Sequence, residues 1–157
     1  MKVKMSDLSQ INNSEYSQFL HQAIDHIKTA RTLLAKQVNS SANSVYWNLG
    51  KLLFEKQLEE GYGSSVVKQL SIDLKNEFPD MGLSPRNLWN MKRFYERYYQ
   101  ANPKLLRSVA VLPWGHNLLL LDKVQSLSAV AFYANEVAEK GYDALKDYVV
   151  SIYFWTL

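Results

Sequence analysis

The stretch SSVVKQLSIDLKNEFPDMGLSPRNLWNMKRFYERYY, Ser64–Tyr99, decides the fold. In its first half, Val67, Leu70, Leu74 and Phe78 recur at the three-and-four spacing of one helical face. Ser64 or Ser65 can cap the start of that helix. Pro79-Asp80-Met81-Gly82-Leu83 reads as a turn, and Ser84-Pro85 sets a capping residue before a proline at the first helical position. The second helix then runs to about Tyr99. On a wheel of about 100° per residue, Leu88, Met91, Tyr95 and Tyr98 fall on its inner side. Arg86, Asn90, Arg93 and Arg97 fall within about 60° of one another on the opposite side, flanked by Trp89 and Lys92. Two helices joined by a six-residue connection have the layout of a helix-turn-helix unit.

Upstream, a helix is expected from about Ser14 to Val38, with Tyr16, Leu20, Ala23, Ile27, Ala30 and Leu34 on one face. Asn39-Ser40-Ser41 offers stop and cap chemistry. A further helix then reaches about Glu59, with Val45, Tyr46, Leu49, Leu52 and Leu53 inward, and Gly61-Tyr62-Gly63 closes it as a glycine C-cap would. Downstream, helices are expected over Pro103–Val111, Pro113–Val124, Ser128–Lys140 and Asp143 to the end. No segment alternates as a strand does, so the expected class is all-α. The expected organisation is a flexible tail (1–13) followed by a single helical domain (14–157).

Length and composition fit that class. The 157 residues are 47% hydrophobic and 13% aromatic, enough for a packed core. There is no cysteine, which excludes disulfides, thiolate metal sites and cysteine nucleophiles. The polar N-terminus lacks a signal-peptide core, and the longest apolar run, Leu118–Leu121, is far too short to span a bilayer. A cytoplasmic location is the expectation.

Net charge is only +3, but its distribution is uneven. Between Ser84 and Arg107 stand six basic residues (Arg86, Lys92, Arg93, Arg97, Lys104, Arg107) against one acid, Glu96, so this segment carries +5 and leaves −2 for the rest. Arginine can bond two acceptors of guanine, asparagine can pair with adenine, and further cations can neutralise phosphates. The candidate nucleic-acid-binding residues are therefore Ser84, Arg86, Asn87, Asn90, Lys92, Arg93, Arg97, Lys104 and Arg107, with double-stranded DNA the expected partner. Base contacts are expected from Arg86 and Asn90, with Asn87, in the first turns, and phosphate contacts from Arg93, Arg97, Lys104 and Arg107. The sequence predicts that removing Arg86, Arg93 and Arg97 weakens binding without unfolding the domain. The competing readings are an ordinary solvated face and a protein-binding face. In the second of these, Tyr98, Tyr99, Tyr133, Tyr148, Phe154 and Trp155 supply aromatic surface for a homo-oligomer or a partner subunit.

The ordered motifs Tyr46-Trp47-Asn48-Leu49-Gly50-Lys51, Glu55-Lys56-Gln57, Gly61-Tyr62-Gly63, Glu77-Phe78-Pro79, Ser84-Pro85-Arg86-Asn87-Leu88, Leu112-Pro113-Trp114-Gly115-His116-Asn117 and Leu121-Asp122-Lys123-Val124 resemble the N-terminal domain of the bacterial YhcG family. The resemblance covers about residues 20 to 142. It implies a helical, helix-turn-helix-like DNA-binding domain, which in full-length members precedes a nuclease domain of the PD-(D/E)xK class. The matching recognition positions are Ser84, Arg86, Asn87, Leu88, Met91, Arg93 and Phe94. Tyr62 and Tyr142 stand where the family usually has tryptophan, and Asp143-Ala144 replaces the usual Ser-Arg. The apolar end Ser151–Leu157 reads either as a truncated or frameshifted frame or as a terminal helix docking its aromatics into the core. The expectation is a binding module, with no catalysis or cofactor of its own, whose nuclease half is missing.

Candidate catalytic groups are sparse. Asp73 and Glu77 share a helical face, but that spacing is common on solvated helices. Pro79-Asp80 with Glu139-Lys140 echoes a nuclease motif whose class builds its site on strands. His21 and His26 are five apart and fall on different faces. His116, inside the Pro-Trp-Gly-His-Asn motif, reads as a capping or buried hydrogen-bonding residue before a catalytic one.

Overall fold

The computed structural model describes residues 12–61 and 63–140. These form six α-helices and no strand: α1 Asn13–Glu60, α2 Ser64–Glu77, α3 Pro85–Tyr98, α4 Pro103–Ala110, α5 Trp114–Lys123 and α6 Leu127–Lys140. The all-α class holds. The helix expected from Asp143 onward lies outside the described residues. The chain falls into two compact units, Met1–Lys36 and Gln37–Leu157, and α1 contributes residues to both.

The stop expected at Asn39-Ser40-Ser41 does not occur, and α1 is continuous through it. Asn39, with Asn43 one turn on, bonds to the end of another helix instead of to its own backbone. The Asn43 amide donates to the Ala110 and Leu112 carbonyls, each at 2.7 Å, and Asn39 donates to the Val111 carbonyl at 3.1 Å. The Ala110 and Val111 carbonyls lie at the end of α4, where intrahelical donors run out, and Leu112 directly follows. Gly61 ends α1 as expected, at φ +68°, its N–H donating to the Gln57 carbonyl.

Two expectations about faces are corrected. On α1, Tyr46, Leu49 and Leu53 are inward as expected and are joined by Asn43, Trp47, Gly50 and Phe54, whereas Val45 and Leu52 are exposed. On α2, Val67 and Ser71 are buried, but Phe78 is exposed at the C-cap. The N-cap of α2 is Gly63, with no side-chain cap, because Ser64 and Ser65 already lie in the helix. The start of α3 is as expected: the Ser84 hydroxyl accepts from the Asn87 N–H at 3.1 Å, ahead of Pro85.

In the second unit the apolar residues gather into two clusters, and α3 supplies both. Leu88 and Met91 join Leu53, Val67 and Leu83, while Phe94 and Tyr98 join Leu105, Val109, Leu112, Leu120, Val130 and Tyr133. Trp114 packs against both clusters. Its ring lies 4.5 Å from that of Tyr46 and 5.3 Å from that of Phe94, and its N–H donates to the Asn87 side chain at 2.9 Å. Trp47 and Phe54 pack edge-on or tilted against Phe94, Tyr95 and Tyr99. Between them, Gly50 lets the backbones of α1 and α3 meet.

Candidate nucleic-acid interface

The helix proposed to read bases is α3, braced on α2 through the buried Ser71 hydroxyl, which donates to the Leu83 carbonyl at 2.7 Å. The buried residues of α3 are Leu88, Met91, Phe94, Tyr95 and Tyr98, so its inner face is the one the spacing predicts. Three positions matched by resemblance to recognition residues, Leu88, Met91 and Phe94, are essentially inaccessible and serve the core.

The basic strip divides by what each side chain already holds. Arg86 is exposed, and its guanidinium has no partner among the described residues. Asn87 is committed within the fold: its amide donates to the Gly82 carbonyl and its oxygen accepts from Trp114. Asn90 accepts from Arg93 at 3.1 Å, and Arg93 is ion-paired with Asp122 at 3.0 Å. Arg97 donates to the Leu120 carbonyl at 2.7 Å and to the Val124 carbonyl. It therefore closes the C-terminal turn of α5, where a cation is favoured by the helix dipole. Lys92 lies 2.7 Å from Glu96, its side chain only 14% exposed, with its ammonium 5.6 Å from the centre of the Trp89 ring. Lys104 and Arg107 lie exposed on α4, their charged groups unpartnered among the described residues.

The structure thus joins Ser84 to Asn87 and Asn90 to Arg93, and sets Arg93 and Arg97 against α5. Arg93, Glu96, Arg97, Leu121, Val124 and Gln125 line a shallow cleft of about 340 Å³ there. Lys104 and Arg107 stand on another helix. Of the candidate cations, Arg86, Arg97, Lys104 and Arg107 have no carboxylate partner among the described residues. Arg86 and Lys104 each sit directly after a helix-starting proline, behind a Ser or Asn cap, in first turns that hold no acid. A cation there is opposed by the helix dipole, at a cost of about 0.3–1 kcal/mol. An anion bound nearby would remove that cost.

The motif around His116 knits helices together. The Asn117 amide, buried, donates to the Val109 carbonyl at 3.0 Å, and Leu112 and Trp114 fill the clusters. His116 Nδ1 lies 2.8 Å from the Tyr133 hydroxyl. Sequence reasoning foresaw this hydrogen-bonding role for His116 but not its partner on α6. Burial holds the His116 pKa below the usual histidine value and pushes Tyr133 up to about 12. A half-buried histidine held neutral binds its proton more weakly than the unfolded chain does. Its contribution to stability is therefore intact above the unfolded value of about 6.5 and is lost as pH falls below it, until the folded value is reached. Urea melts between pH 7 and pH 5 are expected to show a steeper loss in the wild type than in His116→Gln. Parallel pH curves would contradict this.

Tyr98 and Tyr133, expected as partner-binding surface, are buried, and Tyr99 stacks on Tyr95 at 5.2 Å. Tyr148, Phe154 and Trp155 lie outside the described residues. His21 and His26 are exposed, and Asp73 accepts from Gln69 at 3.1 Å. Among the described residues, no helix is long and apolar enough to cross a membrane.

The family model of the DUF1016 N-terminal domain matches residues 22–154. A protein of Escherichia coli (strain K12) named "Putative nuclease YhcG" is 33% identical over 98 residues, covering 58% of this chain and 25% of its own. The chain thus spans about a quarter of that relative's length. No solved structure matches.

Proposed function

The chain belongs to the DUF1016 N-terminal domain family, and from that premise we propose that it is a DNA-binding module of a YhcG-type nuclease. In this reading it grips duplex DNA in the cytoplasm and leaves cleavage to another part of the full-length protein. The observation that carries the reading is Arg86, an exposed and unpartnered guanidinium in the first turn of a capped helix that two apolar clusters hold rigid. The relative's name, which calls it a nuclease, supports a nucleic-acid partner.

Arg86, Lys104 and Arg107, whose charged groups have no partner among the described residues, make the working contacts, with Arg86 meeting bases from the first turn of its helix as in a helix-turn-helix protein. Arg93 contributes once it exchanges Asp122 for a phosphate. Arg97 adds positive potential from its place at the end of α5. Its removal uncaps that helix, so the informative variant leaves it intact.

Arg86→Ala/Lys104→Ala/Arg107→Ala is expected to weaken duplex binding, read by fluorescence anisotropy, at least about tenfold at low salt. The slope of log K against log salt is expected to flatten by roughly 2, since Lys104 and Arg107 are the phosphate contacts removed and each contributes about 0.9. The melting temperature is expected to stay unchanged, because all three side chains are exposed. Arg97→Ala is expected to lower it. Unchanged affinity and slope in the triple variant would refute the reading.

A further inference from the structure

Residues 13–36 of α1 carry an apolar seam that faces solvent. Tyr16, Leu20, Ala23, Ile27, Ala30 and Leu34 follow one another at intervals of four, three, four, three and four. That is a 3.5-residue period, the repeat of a helix that pairs with another helix. All six are exposed, Ile27 at 56% and Leu34 at 64%. Phe19 and Leu33, at 69% and 62%, widen the same stripe.

We infer that this segment pairs, antiparallel, with the same segment of a second copy of the chain. Two features select that occupant. The first is size: a two-fold axis at Asp25 sets Leu20 of one copy against Ala30 of the other, Ile27 against Ala23, and Leu34 against Tyr16. Three layers thus share one register, and in two of them a large residue meets an alanine, the alternation that close packing needs. The same axis brings Phe19 beside Leu33 of the other copy. The second is charge. Glu15 lies at the start of the segment and Lys28, Arg31 and Lys36 toward its end, with Asp25 at the axis itself. Antiparallel pairing places the acidic end beside the basic one, whereas parallel pairing would align like charges.

The seam is about 28 Å long at 1.5 Å per residue, and its two-fold pairing is closed, so it makes dimers and not fibres. The dimer forms whether or not the domain binds DNA. Its site, on residues 13–36, is separate from Arg86, Lys104 and Arg107.

Sedimentation of the full chain over a wide concentration range is expected to show a monomer–dimer equilibrium. Ile27→Asp is expected to raise its dissociation constant at least about tenfold while the circular-dichroism melt stays the same. Because the chain has no cysteine, orientation can be read directly. Leu20→Cys mixed with Ala30→Cys is expected to give a disulfide between the two variants, and Leu20→Cys alone none. A monomer at every concentration, a dimer indifferent to Ile27→Asp, or Leu20→Cys crosslinking to itself would each overturn the inference.

Discussion

Gly50→Ala is expected to destabilise the domain by about 3 kcal/mol or more, the upper range for overpacking a close-packed interior. An ideal Cβ at this position would lie 2.0 Å from the Met91 carbonyl oxygen and 2.6 Å from its carbon. Both are backbone atoms, so no side chain can rotate away. Relief requires α1 and α3 to separate, which would open the Trp47–Phe94 and Phe54–Tyr95 contacts on either side of the crossing. The loss would be a large fraction of the roughly 5–15 kcal/mol that holds a domain of this size together. Gly115→Ala is the matched control. No atom lies within 4 Å of its would-be Cβ, and alanine in a helix is favoured by about 0.5–1 kcal/mol. Urea unfolding of both variants checks the contrast. Equal midpoints would show that the α1–α3 approach is looser than the structure has it.

Asn43→Ala is expected to cost about 3 kcal/mol, for a different reason. A single buried amide group satisfies the Ala110 and Leu112 carbonyls, which have no donor of their own at the end of α4. Removing it strands two acceptors away from water, at about 1–3 kcal/mol each, partly offset by relaxation. Asn43→Asp is expected to be worse, since it would press a carboxylate against two carbonyl oxygens. Thermal melts of the two variants, both lower than wild type and Asn43→Asp lowest, are the expected result. An Asn43→Asp protein as stable as wild type would refute the bonding pattern.

Gly50 and Asn43 also explain what the sequence concealed. The all-α class, the capped start of α3 and its inner face were legible because they rest on local signals, such as Ser84-Pro85 and the apolar period of Leu88, Met91, Tyr95 and Tyr98. The face of α1 was legible only in part, at Tyr46, Leu49 and Leu53, because its centre is a polar residue and a glycine. Neither adds to an apolar pattern, so the eye is drawn to Val45 and Leu52, which are exposed. Asn39-Ser40-Ser41 read as a stop for a related reason. A side chain that can satisfy its own backbone can equally satisfy another helix, and only tertiary structure decides which.

The candidate interface was legible as charge but not as availability. A helical wheel placed Arg86, Asn90, Arg93 and Arg97 on one strip. It could not show that Arg93 holds Asp122, that Arg97 closes α5, or that Asn87 is bound between Gly82 and Trp114. Those partners lie up to 29 residues away in sequence. Among the candidates, Arg86, Lys104 and Arg107 emerged as unpartnered by the described residues only once the others were accounted for.

The sharing of α3 between two apolar clusters bears on how a ligand would be met. Neither cluster can open by itself without exposing a face of that helix, so α3 has no inexpensive route to local unfolding. Its amide hydrogens belong with the slowest-exchanging in the second unit. A ligand arriving at Arg86 would find its docking element already ordered, and the entropy lost on binding would be confined to the ends of a few long side chains. Recognition by such a surface is fast to form and unforgiving of misfit: the partner has to adapt its shape, because the helix does not.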